Sequence, residues 1–159
     1  MKDKWKDRKR PGLNDLLSIA AQNPQLHDCV VGQIILETIL VQLIETKLSA
    51  ESAFDSFRLS FPEKADLCVA MGVISEELAS FLKKLNTTRN QFAHRLGFRL
   101  SFHDIFGLVD EAAKAGIEFT DDVDKSIEFA QEVYEPQLLL QTVYDNTSHC
   151  LACILDENG

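Results

Sequence analysis

SEELASFLKKLNTTRNQFAHRLG, residues 75–97, is the stretch that decides the fold. Ser75 is a good N-cap, Glu76 and Glu77 complement the positive end of a helix dipole, and Gly97 suits a left-handed C-cap. One helix is predicted between them. At about 100° per residue, Leu78, Phe81, Leu82, Leu85, Phe92, Ala93 and Leu96 fall on a single apolar stripe. Arg89 falls in the middle of it. A guanidinium on a buried face needs an anionic or hydrogen-bonding partner. His94 lies five residues on, about 140° around the helix, while Asn90 and His94 share a face as an i, i+4 pair.

Working outward, the chain reads as helices separated by punctuation. Residues 13–21 form a short helix closed by the Asn23-Pro24 turn. Residues 26–48 are the most hydrophobic segment, with Val30, Val31, Ile34, Ile35, Leu36 and Ile39 among apolar side chains on all sides of a helix. Such a helix is buried all round, either centrally in a bundle or at a subunit contact. Glu37 and Glu45 then sit on a largely dry helix, and one of them is a candidate partner for Arg89. The alternative is that both reach solvent at its least covered edge.

Residues 49–61 read as a polar-aromatic connection, and Pro62 suits the first position of a helix ending near Gly72. Ser101 can cap the next helix, with Asp104 completing a capping-box-like pair and Gly116 ending it. Residues 117–134 are acidic, with a weakly patterned helix from 122 to 134. Pro136 opens a last helix to about 155. No segment alternates like a strand. The expected fold is an all-α, up-and-down helical bundle: a basic arm at residues 1–10, then a single helical domain at 11–159.

The net charge of −9 is unevenly placed, because Lys2, Lys4, Lys6, Arg8, Lys9 and Arg10 crowd the first ten residues. The acidic remainder repels phosphate backbones over its surface in general. Neither a signal peptide nor a run of 18 apolar residues is legible, since Gln33, Glu37, Gln42 and Glu45 interrupt the one candidate. The expectation is a cytoplasmic protein without membrane contact, where disulfides are rare. Cys29 and Cys68 read as small core residues. Cys150 and Cys153 form a CxxC beside His149, but four zinc ligands cannot be assembled locally. Core packing is the expectation there, and no metal or cofactor is expected.

RNQFAH, Arg89 to His94, has the form R-N-x-x-x-H at the end of a long helix. It resembles the R-x(4-6)-H signature of the HEPN superfamily, which serves metal-independent endoribonucleases. The longer segment FPEKADLCVAMGVISEELASFLKKLNTTRNQFAHRLGFRLSFHDI, residues 61–105, is similar to the central part of the mannitol operon repressor family. That family shares a lysine-containing helix, a GVIS-like turn, a helix running into R-N-x-F-A-H and a following SF-D segment, on a HEPN-like bundle.

The resemblance implies a transcriptional regulator acting through protein–protein contacts rather than direct DNA reading. Its partners would be a second copy and another protein, a transcription factor or an antitoxin. The alternative it implies is an endoribonuclease cutting single-stranded RNA. There His94 would be acid or base, Arg89 the phosphate cation and Asn90 a binding residue, with two motifs facing each other across a dimer. RNA cleavage without metal needs these three functions. A helix C-terminus stabilises an imidazolium, which suits a general acid near neutral pH. Leu96 departs from the HEPN toxins, which commonly carry Tyr two residues after the His. His103, in the first turn of its helix, reads as structural.

Overall fold

The computed structural model describes residues 12–48 and 58–159. The basic arm and most of the 49–61 connection lie outside the described residues. Seven α-helices follow one another: α1 (Leu13–Ala21), α2 (Pro24–Lys47), α3 (Phe61–Ala70), α4 (Glu76–His94), α5 (Phe102–Lys114), α6 (Ile127–Val133) and α7 (Pro136–Asn158). No strand occurs among the described residues, and the protein is an all-α helical bundle.

The helix ends are built by the residues the sequence nominates. Ser75 accepts from the Leu78 amide at 3.1 Å. Ser101 accepts from the Asp104 amide at 3.2 Å while Asp104 Oδ2 takes the Ser101 amide at 2.9 Å. At the start of α3, Glu63 Oε2 accepts both the Ser60 amide and the Ser60 hydroxyl, each at 2.7 Å. Pro62 occupies the first turn of α3, where its missing N–H costs nothing. Gly72, Gly97 and Gly116 all take positive φ after their helices, as expected of Gly97 and Gly116. The acidic segment resolves into a 3-10 turn (Val123–Lys125) and the short α6 rather than one helix. It breaks at Ser126, which is extended and caps α6 through the Phe129 amide.

Helix α2 is the hub, packing against α3, α4 and α7. Leu36, Leu40, Leu43 and Ile44 are fully enclosed there. It alone among the described helices has the length and mean hydropathy (1.6) of a membrane span, and its buried face is that of a core helix. It reaches α7 closely because residue 32 is glycine. A Cβ at Gly32 would lie 2.9 Å from Tyr144 Cε1 and nearer still to Cγ and Cδ1 of that ring. Helices α2 and α4 run antiparallel, since Gln33 meets Asn86 while Asn23 and Gln25 meet Phe98 and Leu100. Helices α3, α4 and α5 run up-and-down in succession, bridged by Lys83–Asp66 and by Lys84–Glu111 at 2.5 Å.

The expectation that α2 is covered on all sides meets a different arrangement within one chain. Val31 (41% exposed), Ile34 (59%) and Ile35 (45%) lie on a bare face opposite the core. Helix α1 contributes no buried residue at all, and Leu13 and Leu17 stand in solvent.

Candidate functional site

Helix α4 runs unbroken from Glu76 to His94, so the R-N-x-x-x-H stretch is helical throughout. Its apolar stripe holds at Leu78, Phe81, Leu82, Leu85 and Phe92, with Thr88 added. Ala93 and Leu96 depart from it and are exposed. The helix ends at His94, before Leu96 can turn inward, and α2 has by then given way to its own N-terminus.

That end of α4 is firmly held. Asn23, 5% exposed, caps α2 with its Oδ1 and donates Nδ2 to the Phe98 carbonyl at 2.8 Å. Gln25 takes the Leu100 amide at 2.8 Å and donates to the Leu100 carbonyl at 3.2 Å, as a neighbouring strand would. Arg99 donates to the Gln22 carbonyl at 2.8 Å. Phe98 folds back edge-on to Phe92, with ring centroids 4.9 Å apart. A single polar stitch therefore fixes the segment after His94 to the α1–α2 junction.

Arg89 is half-buried, on the inner side of α4. Its Nη1 donates to Asn90 Oδ1 at 3.1 Å, and its buried Nε meets no acceptor among the described residues. The anticipated carboxylate partner is absent. Glu37 is taken by Lys64, whose Nζ lies 2.5 Å from Glu37 Oε1 and 2.8 Å from the Leu59 carbonyl, and Glu45 is exposed. The physical reason is register. Glu37 lies beyond Gln33 toward the C-terminal half of α2, level with α3, while Arg89 lies a turn beyond Asn86 toward the α2 N-terminus.

Around Arg89 the interior is polar. Gln33 donates to Asn86 at 3.4 Å and its Oε1 is buried without a donor. Tyr144, 3% exposed, stands beside Cys29 and within the field of Arg89, its hydroxyl closing no hydrogen bond by geometry. Burial pushes the Cys29 thiol up to about 12, with the Tyr144 hydroxyl offsetting part of this. Burial and the neighbouring thiol push the Tyr144 phenol up in turn, and the Arg89 charge works against them. Both groups therefore stay protonated at neutral pH.

His94 is exposed and forms no hydrogen bond with Arg89 or Asn90. Five residues apart on a straight helix, the two motif ends are separated by about 140° of rotation and about 7.5 Å of rise. The fold pairs Arg89 with Asn90 and leaves His94 apart from Arg89, as the five-residue spacing predicts, while Asn90 and His94, an i, i+4 pair, make no hydrogen bond to each other.

No family model, curated protein or solved structure matches the chain.

Gln33 was read only as an interruption of an apolar run, and Lys64 and Tyr144 went unread, although each sits on an apolar helical stripe where a polar side chain is conspicuous. Lys64 follows Phe61 and precedes Ala65 and Cys68 at i, i+3, i+4 and i+7 spacing. Cys29 and Cys68 are enclosed as expected, and burial pushes the Cys68 thiol up to about 11. Cys150 is half-buried and packs against the core, as expected, while Cys153 is exposed, which corrects the core-packing expectation for that one residue.

Proposed function

We propose that the protein is a regulator of the kind its resemblance to the mannitol operon repressor family implies. It would be a HEPN-type bundle in the cytoplasm, acting as a dimer and through contacts with other proteins rather than by reading DNA. The observation that carries this reading is the bare apolar surface of α1 and α2: Leu13 at 71% exposure, Leu17 at 58% and Ile34 at 59%, with Val31 and Ile35 beside it. Apolar side chains left exposed in groups on a helix face mark protein contact sites, and a chain of net charge −9 is a poor electrostatic match for a phosphate backbone.

The test is oligomeric state with DNA binding measured beside it. Light scattering on the parent chain at micromolar concentration should give a dimer, and Ile34→Glu should give a folded monomer. A strict monomer for the parent would remove the interface. Specific retardation of a DNA fragment by the protein alone, at physiological salt, would overturn the protein-contact mechanism.

The ribonuclease reading has one observation in its favour. Arg89 keeps an unpartnered Nε beside Asn90, just ahead of an exposed His94. Under it, Arg89→Ala and His94→Ala would each abolish cleavage of single-stranded RNA in EDTA. The parent's products would end in 2′,3′-cyclic phosphate, because the 2′-hydroxyl is the nucleophile when no metal activates water. Cleavage surviving His94→Ala would remove this reading.

A further inference from the structure

The bare face of α2 ends, at its N-terminal side, in a cleft of about 550 Å³. Leu26, Val30 and Val31 of α2 line it, together with Ala20 and Ala21 from the end of α1 and Gln137 from the start of α7. The cleft has one carboxylate in its wall, Asp28, and no lysine or arginine. Asp28 is largely enclosed, its side chain only 15% exposed. Its Oδ1 has one long contact, 3.5 Å to His27 Nδ1, and its Oδ2 meets no donor among the described residues. A carboxylate enclosed to that degree is stabilised by a cation brought beside it. The volume falls within the about 300–1,000 Å³ of small-ligand pockets, which accommodates an aromatic side chain.

Residues 1–11, which precede the described chain, carry the complementary chemistry. Trp5 is the only tryptophan in the sequence, and Lys4 and Lys6 flank it. The described chain begins at Gly12, and the nine residues of α1 run about 13.5 Å from there to Ala21 at the cleft. The seven residues from Trp5 to Gly12 span at most about 23–25 Å. That length is enough to return Trp5 along α1 to the cleft of its own chain.

We propose that the basic N-terminal arm docks in this cleft within one chain, the Trp5 indole lying on Val30 and Val31 and a flanking lysine beside Asp28. Lysines alone would give the arm little hold, because ion pairs open to water contribute about 0–1 kcal/mol. The indole supplies what they lack, since burying an aromatic side chain removes about 150–250 Å² from water. The ammonium groups then select this cleft over other apolar surface, because its wall is acidic. The cleft shares Val31 with the bare face assigned to the dimer, whereas Ile34 and Ile35 lie outside it.

Trp5 is itself the probe. Selective excitation of the full chain should give an emission maximum well to the blue of the urea-unfolded chain, with acrylamide quenching several-fold weaker. Val31→Glu, at a position 41% exposed, should return both to their unfolded values. Lys4→Glu combined with Lys6→Glu should do the same through repulsion from Asp28, and Asp28→Asn should shift the maximum part of the way. Circular dichroism should show each variant as helical as the parent. Parent emission already at the unfolded position would place the arm outside the cleft and overturn the proposal. A blue-shifted maximum that survives both Val31→Glu and the paired lysine substitutions would do so too, since Trp5 would then rest elsewhere. Emission that moves to the red on dilution, as a dimer dissociates, would give the cleft to the second copy's arm and overturn docking within one chain. A chain that is monomeric throughout and still blue-shifted would remove the dimer and leave the docked arm standing.

Discussion

Arg89 is a half-buried cation whose best partner is the side chain next to it in sequence. Exchanging such a group for an apolar one of similar volume is often neutral or stabilising, because the desolvation cost disappears with the charge. Arg89→Met should therefore leave the melting temperature unchanged or raise it. His94→Ala should leave it unchanged, since an exposed residue off the apolar stripe packs little. A large drop for Arg89→Met, read by calorimetry, would reveal a partner beyond Asn90. Lys64 is the opposite case. It is 2% exposed, with its charge matched by Glu37 and the Leu59 carbonyl. Breaking a fully buried pair by removing one partner costs about 3–5 kcal/mol, and less where one member reaches water, as Glu37 does here. Glu37→Leu strands the enclosed ammonium and should destabilise clearly more than Lys64→Met, which removes the charge and keeps the volume. Urea titrations of the two variants check the order.

At the scale of the element, the capping boxes make acid sensitivity a local property. Hydrogen bonds from Ser101, its hydroxyl first and then its amide, hold the Asp104 carboxyl below the usual carboxylate range. Ser60 does the same for Glu63. A depressed folded-state pKa contributes stability that is present above the unfolded value, near 4, and lost as pH falls through the folded value. The melting temperature should accordingly decline on acidification below about pH 4. Ser101→Ala should cost about 1 kcal/mol at neutral pH and make that decline shallower. An acid profile identical in Ser101→Ala and parent would remove Asp104 from the account. The Ser101–Asp104 box was also among the most legible parts of the fold, because a cap is a contract between residues three apart; the Ser60–Glu63 pair has the same spacing and went unread. The helix 75–94 and the breaks at Asn23-Pro24 and Pro136 were legible for the same reason: they depend on local stereochemistry.

Across the whole molecule, what sequence could not reveal was which helix stands opposite which. Arg89 was correctly placed facing inward, yet its assumed partner depended on the relative register of α2 and α4, which no local pattern encodes. The registers of α2 against α3 and against α7, equally unreadable, hand Glu37 to Lys64 and bring Gly32 under the Tyr144 ring. Cys153 of the C-terminal CxxC misled in a related way. Its helical periodicity was readable, but whether that face meets the core or a cleft depends on the path of the chain after α5. The end of the molecule that carries His94 was underestimated too, because Asn23 and Gln25 bind a loop some 75 residues away in sequence.

Helix α1, nine residues long with no fully buried side chain, meets the segment after α4 through Ile19 at Gly97 and, at its C-cap, the Arg99 bond to Gln22. Isolated helices of that length are marginal in water. Its amides should therefore exchange with deuterium close to the unprotected rate in dilute protein, while those of α2 remain shielded until global opening. Under the dimer reading, raising protein concentration should slow exchange in α1 first and by the largest factor. The helix thereby becomes a built-in gauge of assembly, reporting occupancy of its apolar face through nothing more than the lifetime of its own hydrogen bonds. Protection in α1 that is already high at the lowest concentration, and indifferent to it, would mean that the single chain stabilises this helix unaided.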